Sequence, residues 1–183
     1  AWGGDRGPKA ISSSERGSAI HLGLSQAVAQ NFVLPIDWVN HPDRVHMDWA
    51  LTELRTTVGP DARLVSELPM KFPLFGFMMT GIPDLVVHGT NCEIWDYKTG
   101  RRSESSELKY WQQLMIYAWG HWQSGLVSRD AAIVLRLCYV DGRELPSKTV
   151  KLEEVREALF PIWSRLSNLD KIDETHCPLC PYR

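Results

Sequence analysis

Asp84, Asp96 and Lys98 are the residues whose types and spacing point most directly to chemistry. Asp96 and Lys98 lie two apart in Glu93-Ile94-Trp95-Asp96-Tyr97-Lys98-Thr99-Gly100, which reads as a strand ending at glycine. Side chains alternate along a strand, so Asp96 and Lys98 project to one face and Tyr97 to the other. Asp84, in the preceding strand-like stretch Gly81-Ile82-Pro83-Asp84-Leu85-Val86-Val87, can supply a second carboxylate to the same place. Two carboxylates and an ammonium make a poor apolar core. They make a good seat for a hard divalent cation beside a phosphate, because Mg²⁺ takes carboxylate, water and phosphate oxygens. Taken alone, Asp96 and Lys98 equally describe an ordinary ion pair on the wet face of an edge strand.

The neighbours narrow the choice. Thr99-Gly100-Arg101-Arg102 follows the lysine, and Ser105-Ser106-Glu107 then gives a polar start signal for a helix. Gln113 and Tyr117 stand four apart on that helix and share a face. Arg101, Arg102 and Lys109 gather near Lys98, as a local DNA-binding patch or as a solvated loop and helix start. In this order the motifs resemble the PD-(D/E)xK phosphodiesterases, specifically their RecB-like exonuclease branch. The matching residues are Gly81-Ile82-Pro83-Asp84, Asp96-Tyr97-Lys98-Thr99-Gly100 and Gln113-Leu114-Met115-Ile116-Tyr117-Ala118. Upstream, Arg16-Gly17-Ser18-Ala19-Ile20-His21 resembles that branch's Gly-x-x-x-His element. The ordered match spans residues 16 to 118 and continues weakly beyond.

The resemblance implies an α/β, restriction-endonuclease-like core of order α-β-β-β-α-β, with a mixed central sheet flanked by helices. It implies a DNA nuclease acting on ends or single strands in repair or recombination, with Mg²⁺ or Mn²⁺ as cofactor. The metal ligands it assigns are Asp84, Asp96, the backbone carbonyl of Tyr97 and, from the first helix, His21. Lys98 then orients or deprotonates the attacking water, and Gln113 and Tyr117 steady Lys98 and the scissile strand. Glu67 matches an acidic position often found near such sites, or is a solvated strand residue. The motifs also resemble CRISPR adaptation nucleases, and the sequence leaves open whether a helicase, a recombination partner or a CRISPR adaptation complex supplies the context. An endonuclease of the same fold is one rival, and the Gln113/Tyr117 pair leans away from it. A nuclease-derived DNA-binding or scaffold module is another. Such relatives typically lose a metal carboxylate or the lysine, and all three are present here.

Other elements must hold these residues in place. A chain of 183 residues suits one domain, read as a flexible 1–11, a nuclease domain over 12–176 and a cysteine-containing tail over 177–183. Ser12-Ser13-Ser14-Glu15 is a capping-box candidate, followed by the apolar stripe Ile20, Leu24, Ala27 and Val28. A second helix over 43–58 should turn Val45, Trp49, Leu51 or Thr52, and Leu54 inward before Gly59-Pro60. Strands are expected over 63–72, 75–88 and 92–99, the first two joined tightly at Pro73. The helix near 106–123 should bury Trp111, Met115, Ala118 and Trp122 and leave Lys109, Gln113 and Tyr117 on another side. Its tryptophans read as core before base-stacking platforms, with Trp119 the best placed for exposure. A strand over 131–140, a turn at Asp141-Gly142, a strand over 148–152 and a helix over 153–169, kinked or shortened by Pro161, complete the order.

A net charge of −2 argues against a passive nucleic-acid binder, which is usually basic overall, so any DNA contact must be local. No run approaches the ~18 apolar residues of a membrane span, and the first residues do not read as a secretion signal. A cytoplasmic or nucleoid-associated protein is expected. Cys92 and Cys138 sit in strand-like stretches as apolar fillers. Cys177-Pro178-Leu179-Cys180 is half of a zinc or iron–sulfur ligand set. Many RecB-like nucleases complete such a set with a cysteine before the first helix and another near the C-terminus. Neither is present, so a cluster is expected only in a longer parent chain, which the lack of an initiator Met agrees with.

Overall fold

Helix α1 (Ser13–Ala29) begins at a capping box. The Ser12 hydroxyl accepts the Glu15 N–H at 3.2 Å, and the Glu15 carboxylate accepts the Ser12 N–H at 2.8 Å. The computed structural model describes residues 12–166, so the N-terminal 1–11 and the tail with Cys177 and Cys180 lie outside the described residues. Ile20, Leu24 and Ala27 form the buried stripe of α1, with Val28 packed at its margin. After a 3₁₀ turn at Ile36–Trp38, helix α2 (Arg44–Thr57) buries Met47, Ala50, Leu51 and Leu54. The expected inward Val45 is instead 53% exposed, and Trp49 is only partly buried. The core face has helical period and runs through Met47; Val45 lies off it.

Five strands form the central sheet in the order β1 (Arg63–Ser66), β4 (Leu85–His88), β5 (Cys92–Lys98), β6 (Ile133–Tyr139), β7 (Ser147–Val150). The β5–β6 pair is parallel and the other pairs are antiparallel. The parallel pair requires a crossover, supplied by α3 (Glu104–Gln123). On one face Leu85, Val87, Trp95, Tyr97 and Cys138 pack with the core of α1 and α2. On the other, Ile94, Leu135, Leu137 and Tyr139 pack with Trp111, Leu114 and Ala118 of α3 and with Val155 and Leu159 of α4 (Leu152–Leu166). Strand alternation places Asp96 and Lys98 on the α3 face and Tyr97 on the α1/α2 face. The expected α/β order α-β-β-β-α-β is present as the helices α1 and α2, then β1, β4, β5, α3 and β6.

Each of the two long strands expected before β5 is split. β1 ends where Glu67 takes a left-handed φ of 50°, and the chain leaves the sheet into a separate hairpin of β2 (Met70–Leu74) and β3 (Phe77–Gly81). Ile82 and Pro83 then interrupt the path to β4, since proline has no N–H for a ladder. The hairpin turns at Phe75-Gly76, both at positive φ (47° and 91°), as two-residue hairpin loops require. Pro73 lies inside β2, opposite Met78, instead of at the turn. The hairpin lies on α3 because Gly120 lets Phe72 in: a Cβ there would come within 2.6 Å of the Phe72 ring. Helix α4 runs through Pro161 to Leu166. Among the described residues, no helix is long and apolar enough to cross a membrane. Cys138 is buried and Cys92 half-buried, both as free thiols.

Candidate active site

The carboxyl end of β5 and the break before β4 meet beneath α1. Asp96 is 3% exposed, and Lys98 Nζ stands 2.6 Å from its Oδ2. This charge-assisted contact is the partner of a carboxylate that is otherwise sealed from solvent. The Lys98 ammonium also lies over the Tyr110 ring, 4.2 Å from its centroid. Asp84 is held on both sides. Its Oδ2 accepts the Tyr97 N–H at 2.7 Å, and its Oδ1 lies 3.1 Å from His21 Nδ1. Gly81, three residues earlier, is required by close approach: a Cβ there would lie 2.5 Å from a Tyr117 ring carbon.

Electrostatics set these groups against one another. Burial, then the negative charge of Asp84, push the Asp96 carboxyl up to about 6, against the opposing pull of Lys98 and His21. For His21, burial favours the neutral ring. The Asp84 hydrogen bond, the charges of Asp84 and Asp96 and the Tyr97 backbone outweigh it and raise the net value. A buried carboxylate, a second carboxylate that repels it, an imidazole and a backbone carbonyl thus act on one another, although the ligand atoms of His21, Asp84 and Asp96 do not all lie within 4.8 Å of one another. That donor set of oxygens with one nitrogen fits a divalent cation, which would relieve the repulsion.

A second charged cluster lies alongside, and the sequence motifs did not single it out. Asp43, His46 and Asp141 are a compact acidic and histidine group that could hold a metal ion. Arg16 already fills it. Its Nη2 donates to Asp43 Oδ1 and Asp141 Oδ1, both at 2.6 Å, and its Nη1 donates to the Thr99 carbonyl at 3.2 Å. His46 Nδ1 lies 3.2 Å from the Val140 carbonyl, an acceptor, so that nitrogen carries the proton. A metal here would have to displace a guanidinium. Arg16 instead ties α1, the start of α2, the end of β6 and the residue after Lys98 into one corner. Arg16→Ala should therefore destabilise the protein by about 2 kcal/mol in chemical denaturation, less than a fully buried pair because Arg16 is part-exposed. Arg16→Lys should recover little, since lysine lacks the planar fork. A variant with parental stability would refute this anchoring role.

The remaining candidates are placed as follows. Gln113 Nε2 donates to the Tyr117 hydroxyl at 2.9 Å, but Tyr117 is buried, not on an open face as expected, because it packs on Gly81. Glu67 lines a cavity with Gly17, Ser18 and His21, and its N–H donates to the Asp84 carbonyl at 3.0 Å. Arg101 lines a cavity with Lys98. Arg102 is taken by Glu107 at 2.6 Å and Glu144 at 3.4 Å, and Lys109 is exposed on α3. Trp111 and Trp122 are core, Met115 is only partly buried, and Trp119 donates to the Pro73 carbonyl while stacking on Phe75. Tyr110 and Tyr139, which line the same cavity as Lys98, carried no signal beyond being aromatic residues in a helix and a strand.

A solved structure described as "Crystal structure of SSO0001" is similar over 93% of this chain and 67% of its own, at 16% identity and a TM-score of 0.43. No curated protein matches the chain. A family model described as the PD-(D/E)XK nuclease superfamily matches residues 26–183, from within α1 through every strand and the site at β4 and β5. The chain therefore belongs to the PD-(D/E)XK nuclease superfamily, whose members are divalent-metal-dependent phosphodiesterases.

Proposed function

We propose that the chain is a RecB-like deoxyribonuclease that hydrolyses phosphodiester bonds at DNA ends or in single strands, in repair or recombination. The observation that carries this reading is Asp96, a carboxylate buried against its own ionisation beside Asp84, with Lys98 on the same face. Such an arrangement costs stability and is the kind found at working sites. Asp84, Asp96, His21 and the Tyr97 carbonyl are the residues that would hold the ion, and Mg²⁺ or Mn²⁺ would suit their hard donors. When bound, the ion supplies Lewis-acid polarisation of the phosphate and a more acidic water.

The protein's own groups do the rest. Lys98, steadied between Asp96 and the Tyr110 face, places a positive charge where the phosphate arrives and orients the water that attacks it. Asp84 keeps His21 and the β5 backbone in register through its two oxygens. Gln113 and Tyr117, locked together over Gly81, brace the end of β3 three residues before Asp84 and steady the scissile strand. Arg101 draws in the DNA backbone at the cavity, and Glu67 adds a carboxylate on the far side of His21. Arg102 contributes less, because Glu107 and Glu144 already balance its charge.

The exonuclease branch is favoured by the ordered motifs and the Gln113/Tyr117 pair. Incubation with end-labelled linear and covalently closed circular DNA, single- and double-stranded, tests it. Linear molecules should be consumed in Mg²⁺, closed circles largely spared, and chelator should stop both. Linearisation of a closed duplex at defined positions would mean an endonuclease of the same fold instead.

A further inference from the structure

We propose that Tyr139 is a substrate-binding residue whose hydroxyl donates a hydrogen bond to a phosphate oxygen of the DNA strand, in the cavity beside Lys98. This inference rests on the nuclease reading and adds a contact that the family motifs do not contain. Tyr139 is 1% exposed, and its hydroxyl has no hydrogen-bond partner among the described residues. A buried hydroxyl left unpaired costs about 1–3 kcal/mol, and phenylalanine would fill the same core position without that cost. The ring is explained by packing with Leu135, Leu137 and Trp111. The oxygen is not.

Its placement supplies the explanation. Tyr139 is the β6 partner of Lys98 in the parallel pair, so the two side chains emerge on the same face. Its ring meets Tyr110 at 6.5 Å, and Tyr110 carries the Lys98 ammonium on its face. Lys98, Thr99, Gly100, Arg101, Tyr110 and Tyr139 line a cavity of about 240 Å³ that His21 and Tyr97 of the proposed metal site also line. No lining residue is acidic, and the nearest negative charges acting on the Tyr139 phenol are Glu107, held by Arg102, and Asp96, held by Lys98. A Cβ on Gly100 would meet nothing within 4 Å, so the backbone is open to a ligand there. Cations, hydroxyls and an open glycine turn select an anion, and the anion a nuclease receives is a phosphate. Burial pushes the Tyr139 phenol up to about 12, so it keeps its proton and can donate. A contact to phosphate positions the strand without reading its bases.

Tyr139→Phe tests the hydroxyl alone. The probe is a fluorescein-labelled oligothymidylate, measured by anisotropy with Ca²⁺ in place of Mg²⁺ so that it is held uncleaved. Binding should weaken about tenfold, the loss expected for a hydrogen bond to a charged group. The melting temperature should stay the same or rise, because an unpaired polar group has gone, and the Mg²⁺ concentration for half-maximal cleavage should not move. Equal binding by the variant and the parent overturns the proposal. So does a lower melting temperature with unchanged binding, which would assign the hydroxyl to an internal water. A folded parent that neither binds nor cleaves the oligonucleotide would instead remove the nuclease reading, and the Tyr139 contact with it.

Discussion

Asp96→Asn is expected to lower metal-dependent cleavage by about a hundred- to a thousand-fold, the several kcal/mol that a bound ion contributes to charge stabilisation. The metal-free protein should melt no lower than the parent. Asn keeps the shape of the side chain and removes its charge. In the parent, burial and Asp84 hold the Asp96 carboxyl up at about 6 against an ordinary 3.8, even with Lys98 2.6 Å away. That value already includes the attraction of the lysine and still comes out against the ion. At neutral pH the charge therefore costs the metal-free fold up to about 3 kcal/mol. Lys98 loses its partner in the variant but keeps the Tyr110 face, which reduces the gain without reversing it. Measured cleavage rates and thermal melts in chelator decide the matter. An Asn variant that cuts DNA as fast as the parent would mean the site is misassigned, and one that unfolds would mean the carboxylate is structural.

The part of this site that was legible in the sequence is the part governed by short periods. Alternation along 93–99 is enough to put Asp96 and Lys98 together and Tyr97 behind them. The Ser12/Glu15 box and the Ile20, Leu24 and Ala27 stripe follow from helix geometry within a few residues. The fold class followed from the order of elements, because a β5–β6 parallel pair leaves α3 little choice but to cross over. What could not be read depends on partners far away in sequence. The left-handed turn at Glu67 splits an apolar stretch whose composition reads as continuous strand. Val45 looks as apolar as Met47, and only the packing of α2 against α1 and the sheet separates them.

The same distinction divides the charged residues. Arg101 and Arg102 are indistinguishable as neighbours in a basic run. They differ because Glu107 and Glu144 engage Arg102, while Arg101 lines the cavity. Arg16 was visible only as a letter beside the glycine of the first motif. Its role comes from Asp43, Thr99 and Asp141, which lie 27, 83 and 125 positions away. That corner also explains how a histidine on a helix and a lysine on a strand keep a fixed relation: Arg16, on the helix that carries His21, is bonded to the carbonyl of Thr99, directly after Lys98. Both ends of the site are thereby braced by one guanidinium that does no chemistry.

In chelator the stability of the parent relative to Asp96→Asn should fall between about pH 5 and pH 7.5, and saturating Mn²⁺ should reverse that trend. Asp96 has a folded value of about 6 against 3.8 in the unfolded chain, so across this interval the folded state binds the extra proton. The stability it confers when protonated is lost as pH rises toward and through 6. His21 is raised above 6.5, so the stability from its protonated form is present below 6.5 and is lost as pH rises through its folded value. The two act in the same direction in successive windows. Glu15, Glu107 and Asp141 are shifted down, so their contribution is lost only on acidification, below their ordinary values of 4.5, 4.5 and 3.8. Above pH 5 they change little, but burial lowers His88 and His121, so the stability of their neutral forms is gained as pH rises toward 6.5. The comparison with Asp96→Asn, which keeps both histidines, removes that opposing contribution. The expected loss from Asp96 alone is on the order of 1 kcal/mol between those two pH values. Mn²⁺ needs a deprotonated Asp96 and a neutral His21, so its affinity rises over the same interval, and at a hundredfold excess over Kd it adds about 2.7 kcal/mol. Asp96→Asn should lose the Asp96 contribution and weaken the Mn²⁺ response, leaving only the histidines to titrate in this interval. A chelated parent whose stability changes between pH 5 and pH 7.5 just as that of Asp96→Asn does would show that Asp96 carries no uncompensated charge, and the case for a cation between Asp84 and Asp96 would go with it.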